Sequence, residues 1–585
     1  MDNLRLILLM GLSLVVILLW EAWQDDFNTP DKPVVAAASI GIPVENQIVD
    51  SFVNSSGESK PPLTTAEVAP IPTNAVPSQS NRPLTTAPTN LGLTALKSDK
   101  RITVETDVFT IEIDTIGGDL RQALLNNYPV HVDEPENKFS FLSDKVPPLF
   151  VAQTGLLSSG EAPNHTARFT AKKTHYVMGP SENSLTIPLT WKGENLTVVK
   201  TYTFHKGNYS VDVDYTVTNH SAQAWQGRQY RQLQRSSLEV GGSAFIYTFT
   251  GGVIYSEAEK YEKISFGDME DEDLARTIVG GWVAMIQHYF VTAWVPDQKE
   301  TNFFYSKSAG EDRYVLGMIS SDITIAAGES TLLTNKIYLG PKDQDALGAL
   351  APGLELTVDY GFLTIIAKPL FWLLTFIHDF VGNWGISIAI LTLIIKLVFY
   401  KLSATSYRSM ANMRLLTPKV TQIRERFGDD RQRMSKAMMD LYKKEKINPL
   451  GGCLPMLVQI PVFIALYWVL LESVEIRQAP FILWINDLSS KDPFYVLPLL
   501  MGATMFIQQK LHPPPADPIQ AKVMMALPFI FTLFFAFFPA GLVLYWVVNN
   551  SLSILQQWYI LDKVEKENAQ AEKDKAKAKA KKAKS

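Results

Sequence analysis

The stretch WGISIAILTLIIKLVFYKL, Trp384–Leu402, decides how the C-terminal part of this chain folds. It is long and apolar enough for one helix to cross the hydrocarbon of a bilayer, which takes about 20 residues at about 1.5 Å of rise each. One residue interrupts the run. Lys396 sets an ammonium group between Ile395 and Leu397, where insertion scales put the cost at about 2.5–3.5 kcal/mol. Lys401 lies only about 7.5 Å of helix further on, so the side chain could snorkel toward the cytoplasmic headgroups. The other reading is a polar site inside the membrane.

Polar neighbours bear on that choice. Thr392 lies one turn before Lys396, and Ser403 continues roughly the same face. Gln459 falls between Pro455 and Pro461 in another apolar run, and Asn549, Asn550, Ser551, Ser553, Gln556 and Gln557 crowd one half of the last. Together these could line a wet cavity in the inner leaflet. Polar interhelical contacts are the structural alternative.

Further out, Leu454–Leu471, Phe494–Ile507, Val523–Phe538 and Leu542–Ile560 bring the candidate spans to five. Loop charges orient them. Lys401–Gly452 holds 12 Lys+Arg and 5 acids, and the chain from Asp562 holds 9 Lys and 5 acids, so both segments belong in the cytoplasm. Glu472–Asp492, with 2 basic and 4 acidic residues, belongs outside. These sides alternate only if Phe362–Val381, with its Lys368, Pro369, His378 and Asp379, does not cross. Residues 356–381 therefore read as an amphipathic helix in the outer interface. Residues 382–562 form the five-span core, and 563–585 a basic cytoplasmic tail.

Within the core, residues 404–450 read as a cytoplasmic helical hairpin. Met410, Met413, Leu416, Val420, Ile423 and Phe427 recur at intervals of three and four, as do Met434, Met438 and Leu441. Gly428 suits the end of one helix and Asp429 or Asp430 the cap of the next, while Pro418 begins or kinks the first. The basic face, with Arg424, Arg426, Arg431 and Arg433, suits anionic phospholipid or ribosomal RNA.

The N-terminal half has another character. Leu4–Trp20 is apolar with no small-residue cleavage site after it, so residues 1–23 read as an uncleaved transmembrane anchor. Residues 24–100 are rich in Pro, Ser and Thr and read as a disordered linker. From 101 to 355 the pattern turns to period two: Val211, Val213, Tyr215 and Val217 alternate with Asp212, Asp214 and Thr216. Many such runs imply a large antiparallel β-sandwich. Residues 21–357 carry 26 Lys+Arg and 41 Asp+Glu, or −15, so the remainder carries +10 of the net −5. An acidic domain exported beyond a bacterial inner membrane, with both termini cytoplasmic, accounts for the split without any DNA partner.

Enzyme chemistry finds little footing. A lone cysteine, Cys453, excludes a disulfide framework and a Cys-rich metal site. No HExxH, Walker A loop, GxGxxG or GxSxG occurs, so no cofactor, metal, catalytic residue or small-molecule substrate is expected.

The segments VGNWGISIAILTLI (Val381–Ile394), NPLGGCLPMLVQIPVFIALYWVL (Asn448–Leu470), RQAPFILWINDLS (Arg477–Ser489) and FPAGLVLYWVVNN (Phe538–Asn550) closely resemble the YidC/Oxa family of membrane protein insertases. The likeness runs through Asp359–Ile560, and the arrangement resembles that of Gram-negative members. It implies a β-supersandwich similar to galactose-mutarotase domains for the exported part. It also implies a hydrophilic groove open to cytoplasm and lipid, with Lys396 at the position where many relatives carry arginine. Thr392, Gln459, Asn549, Ser551, Tyr545 and Trp546 would share that groove. Ile460, Phe463, Leu466, Phe529, Leu533 and Phe537 would form an apolar slide for nascent membrane proteins. The ribosome, SecYEG and SecDF are the further partners the resemblance implies.

Two other functions compete. A secondary transporter or channel would also place a charge in the membrane, but internal repeats and acidic coupling residues in the spans are not evident. A membrane-anchored periplasmic carbohydrate-binding protein could use His131, His165, His175, His205, His220 and His288, though no acid–histidine constellation is visible.

Overall fold

The structure, a computed structural model, describes residues 96–146, 148–238, 248–310, 312–428, 430–445, 454–511 and 518–582. The expected anchor and nearly all of the expected linker lie outside these residues. The two compact units of the chain meet in sequence between Thr357 and Val358, two residues beyond the expected boundary.

The first unit is built from two sheets. An 11-stranded sheet follows the spatial order Ala275–Val279, Thr301–Ser308, Tyr314–Ser320, Trp225–Arg235, Phe150–Leu157, Leu120–Pro129, Phe109–Asp114, Arg101–Glu105, His175–Val177, with two further strands off this path. A 10-stranded sheet includes Ser184–Lys192, Leu196–His205, Ser210–Asn219 and Lys336–Pro341 as neighbours. Pairing among the described strands is antiparallel, except between Arg101–Glu105 and His175–Val177. The alternation reads directly into burial: Val211, Val213, Tyr215 and Val217 are enclosed while Asp212, Asp214 and Thr216 turn outward. Ile111, Leu125 and Leu233 of one sheet meet Val213, Tyr202 and Trp294 of the other in a single core.

One central strand, Trp225–Arg235, breaks the pattern: WQGRQYRQLQR is polar, yet it is buried along most of its length. Its charges are paired. Arg231 donates to Asn302 Oδ1 at 3.0 Å and to the Glu300 carboxylate at 3.1 Å. Close by in the same core, Lys200 Nζ donates to the carbonyls of Gly117 and Thr154 and lies 3.9 Å from Asp119.

The second unit is helical: α1 (Thr364–Val381), α2 (Trp384–Val398), α3 (Tyr400–Leu415), α4 (Thr417–Phe427), α5 (Arg431–Lys444), α6 (Leu454–Glu472), α7 (Val496–Leu511), α8 (Pro518–Phe535) and α9 (Ala540–Lys582). The structure adds detail to three expectations. The span read as Trp384–Leu402 stops at Val398: Phe399 leaves helical dihedrals, and α3 departs at 68°. The first helix of the hairpin is two helices, because Pro418 in the first turn of α4 lacks the N–H that would continue α3. The tail from 563 is helical as far as Lys582, as α9 runs on through it for 43 residues in all.

Asp430 caps α5, its Oδ1 accepting from the amides of Gln432 and Arg433. Helix α9 packs against α2, α3 and α7; α8 packs against α7, and α6 against α1. Helix α6 and helix α8 both reach α9 through Trp546, by way of Phe463 and Phe535. By length and composition alone, Gly361–Val381 could cross a membrane. Its buried side, Ala367, Leu374 and Ile377, faces the helical core, and Trp372, Phe376 and Phe380 are exposed.

Candidate functional site: a buried lysine beside a broken helix

Lys396 lies on the last turn of α2, only 7% exposed. Its Nζ donates to Ser553 Oγ on α9 at 2.8 Å. Ser553 in turn donates to the carbonyl of Asn549 at 2.7 Å, and Tyr407 of α3 is buried in the same helical unit. One hydroxyl thus ties the cation at the end of α2 to the last helix. An ammonium has three donors; among the described residues Ser553 is its protein partner, which leaves donors for water or for an acidic group.

The expected neighbours divide. Thr392 is buried, but its hydroxyl donates to Ile388 O within α2, and Ser551 donates to Val547 O within α9. Gln459 and Asn549 are half-buried, and among the described residues neither side chain hydrogen-bonds to Lys396. Asn550 reaches Thr504 on α7 at 3.4 Å, Gln557 reaches Leu511 O at 3.1 Å, and Gln556 reaches Tyr400 O at 3.3 Å. These three serve as interhelical struts. Tyr545 and Trp546 form an aromatic cluster with Phe463 of α6, at 5.9 and 4.8 Å between centroids, and Phe535 joins Trp546 at 5.6 Å.

The apolar slide splits in the same way. Phe529 and Leu533 of α8 are 68% and 69% exposed, and Phe537 just beyond α8 is exposed as well. On α6, Ile460 and Phe463 are half-buried and Leu466 is wholly enclosed, so Leu466 presents no surface to a client. A groove of about 690 Å³ runs between α7 and α8, lined by Leu499, Gly502, Phe506, Phe529, Thr532 and Leu533 among others.

Ser403, Ser406 and Tyr407 of α3 are buried, and the last two were missed from the sequence. Their spacing of three and four from Ser403 was the available signal. On the hairpin, Arg426 and Arg433 are exposed, the former 5.4 Å from the Phe427 ring and the latter 3.2 Å from Asp430. The side chains of Arg424 and Arg431 lie outside the described residues.

The histidines do not assemble. His165 meets the Tyr230 hydroxyl at 2.7 Å, His205 meets Asp212 at 2.7 Å, and His220 meets Thr197 at 3.0 Å, each in a different place. Among the described residues no three His, Cys, Asp or Glu side chains group as metal ligands.

A helical unit studded with outward-facing apolar side chains, with a buried lysine tethered across two helices and a two-sheet β unit before it, defines an integral membrane protein with a large appended β domain. Residues 101–373 match the family model described as YidC periplasmic domain, and residues 376–567 the one described as 60Kd inner membrane protein. A membrane protein insertase YidC of Thioalkalivibrio sulfidiphilus is 51% identical, covering 97% of this chain and 99% of its own length. That of Nitrosococcus oceani is 50% identical over 97% and 100%. The chain belongs to the YidC family of membrane protein insertases. Among solved structures, an active YidC insertase with its first transmembrane domain resolved aligns with 80% of this chain and 94% of its own at 17% identity, TM-score 0.38. A galactose mutarotase related enzyme from Lactobacillus acidophilus aligns with 41% and 97% at 12% identity, TM-score 0.27.

Proposed function

We propose that this chain inserts nascent membrane proteins by drawing their short exported tails into a polar inner-leaflet groove around Lys396 and releasing their apolar helices along α8. The observation that carries the reading is the Lys396–Ser553 contact, which holds a buried cation between two helices with donors to spare. Moving a polar or acidic tail across hydrocarbon is costly. A wet half-channel shortens the dry path, and the lysine attracts carboxylates more strongly there than in water. Phe529, Leu533 and Phe537 then offer an apolar face continuous with lipid. No covalent step or nucleotide is involved.

The topology that goes with this reading has an N-terminal anchor, five core spans, α1 lying in the outer interface, both termini cytoplasmic and the β unit in the periplasm. Loop charge supports it. The hairpin and the lysine-rich end of α9 would meet anionic phospholipid or the ribosome. SecYEG and SecDF would be partners for clients that need a translocon. The β unit, of mutarotase-like supersandwich form, would be accessory.

Photocrosslinking tests the core of the proposal. A stalled single-span client should crosslink to probes at Thr392, Gln459, Asn549 and Leu533. Crosslinks confined to the α1 surface would sink the groove.

A further inference from the structure

The loop between α6 and α7 ends in an apolar tip that the structure holds rigidly and leaves uncovered. Ala479–Asn486 (APFILWIN) has no charged residue. Phe481 N donates to Ile485 O and Ile485 N to Ile482 O, closing a turn whose summit is Ile482–Leu483. Leu483 adopts φ 57°, a left-handed conformation that suits a bulky side chain poorly. These two residues are 51% and 80% exposed.

The base of the turn is fastened on three sides. Asn383 Nδ2 donates to Phe481 O at 3.0 Å, and the Phe481 ring lies so close to Gly385 that a Cβ there would sit 2.1 Å from it. Asp487 accepts from the amides of Gln478 and Ser489. Asp492 accepts from the Trp484 indole at 3.0 Å and from the amides of Phe494 and Leu497 that open α7. A strained, exposed leucine on a fixed mount gains nothing from water.

Its surroundings say what covers it. The tip is locked to the first turn of α2, whose exposed Ile386 begins an apolar stripe continued by Leu393 and Leu397, and Phe380 and Val381 at the α1–α2 corner are exposed as well. The tip thus extends the exposed apolar surface of the helical unit. Trp484 beside it is a residue type that favours the membrane interface.

We propose that Ile482 and Leu483 form a rigid wedge seated among acyl chains of the outer leaflet, with phospholipid hydrocarbon as the partner. This rests on the outward placement of the loop given under the proposed function. The wedge fixes the depth at which the outer end of the core is sealed.

The test uses the full chain carrying Cys453→Ser and Leu483→Cys, labelled with the fluorophore NBD, in vesicles of phosphatidylethanolamine and phosphatidylglycerol. Lipids spin-labelled on the acyl chain should quench the probe several-fold more than aqueous iodide does, and a Lys491→Cys probe on the same loop should show the reverse. Iodide access at Leu483 equal to that at Lys491 overturns the wedge. A Leu533→Cys probe on α8 separates the two levels: lipid quenching there beside an iodide-quenched Leu483 probe refutes the wedge and leaves the membrane reading intact. Protection should persist when vesicles are diluted to a single protein each; loss on dilution would assign the tip to a second copy and refute lipid as partner. If the Leu483 variant fails to fold, Ile482→Cys gives the same comparison.

Discussion

Lys396 Nζ and Ser553 Oγ lie 2.8 Å apart, joining α2 to α9 across 157 residues of sequence. Ser553 spends its own proton on Asn549 O, so it meets the ammonium as an acceptor. Lys396 lies three residues before the bend at Phe399, so the cation is tethered to the last helix at the point where α2 ends.

Replacing Lys396 should separate charge from size. Lys396→Leu is expected to lower insertion of a single-span client with an acidic tail about tenfold or more, the equivalent of losing about 1.4 kcal/mol of attraction. Lys396→Arg keeps the charge and adds a forked donor, so it should stay within a few-fold of the parent. Ser553→Ala keeps the charge but removes one of its hydrogen bonds and should fall between them. Insertion into proteoliposomes, scored by protease protection, reads all three. Equal activity of the leucine and arginine variants would reduce Lys396 to a snorkelling residue.

Leu466 and Leu533 were alike in the sequence and differ in the structure, and their serine variants should part company. Leu466→Ser buries a hydroxyl in the enclosed core and should cost about 2–4 kcal/mol of stability. Leu533→Ser changes an exposed face and should leave the melting temperature within a degree or two while weakening client crosslinking to α8. A Leu533 variant that melts early and crosslinks normally would contradict the assignment of that face.

What could be read beforehand follows from how each element is solvated. Strands wet on one face announce themselves, as Ser210–Asn219 does; Trp225–Arg235 does not, because buried Arg231, Gln232 and Arg235 find hydrogen-bond partners on other strands and loops. Lys396 stood out because a cation in an apolar run is costly unless it snorkels or meets polar groups. Leu466 did not, since α6 is apolar on every side and periodicity has no polar face to point away from. The bend at Phe399 carries no proline or glycine, so nothing in the sequence marked it, and Tyr407 went unseen with it. Pro418 marked the second break plainly.

Gly502 sets the spacing of α7 and α8. A Cβ at this position would fall 2.0 Å from Thr532 Oγ1, which donates to Pro528 O. Gly502→Ala should therefore destabilise the helical unit by about 1–3 kcal/mol through overpacking. Adding Thr532→Ala should restore most of the loss, a coupling that a double-mutant cycle on thermal unfolding would measure. Simple additivity of the two substitutions would mean the helices do not meet there.

The β unit should grow more stable as pH rises from about 8 toward 10. Burial pushes the Lys200 ammonium down from 10.5 to about 8; Asp119 opposes the shift and Arg121 reinforces it. Between those values the unfolded chain binds the proton and the folded chain has released it, so unfolding takes up a proton and stability increases with pH. The whole shift is worth about 3 kcal/mol. Tyr202, Tyr215 and Tyr230 work the other way above pH 10: burial holds their pKa values well above 10, so the unfolded chain ionises first and stability falls. Near-ultraviolet circular dichroism of the full chain in detergent, heated at intervals from pH 7.5 to 10.5, should show the melting temperature of the β unit pass through a maximum between about 9 and 10. Lys200→Met should flatten the rising limb and keep the falling one. A rising limb that survives the substitution would trace the effect to another group.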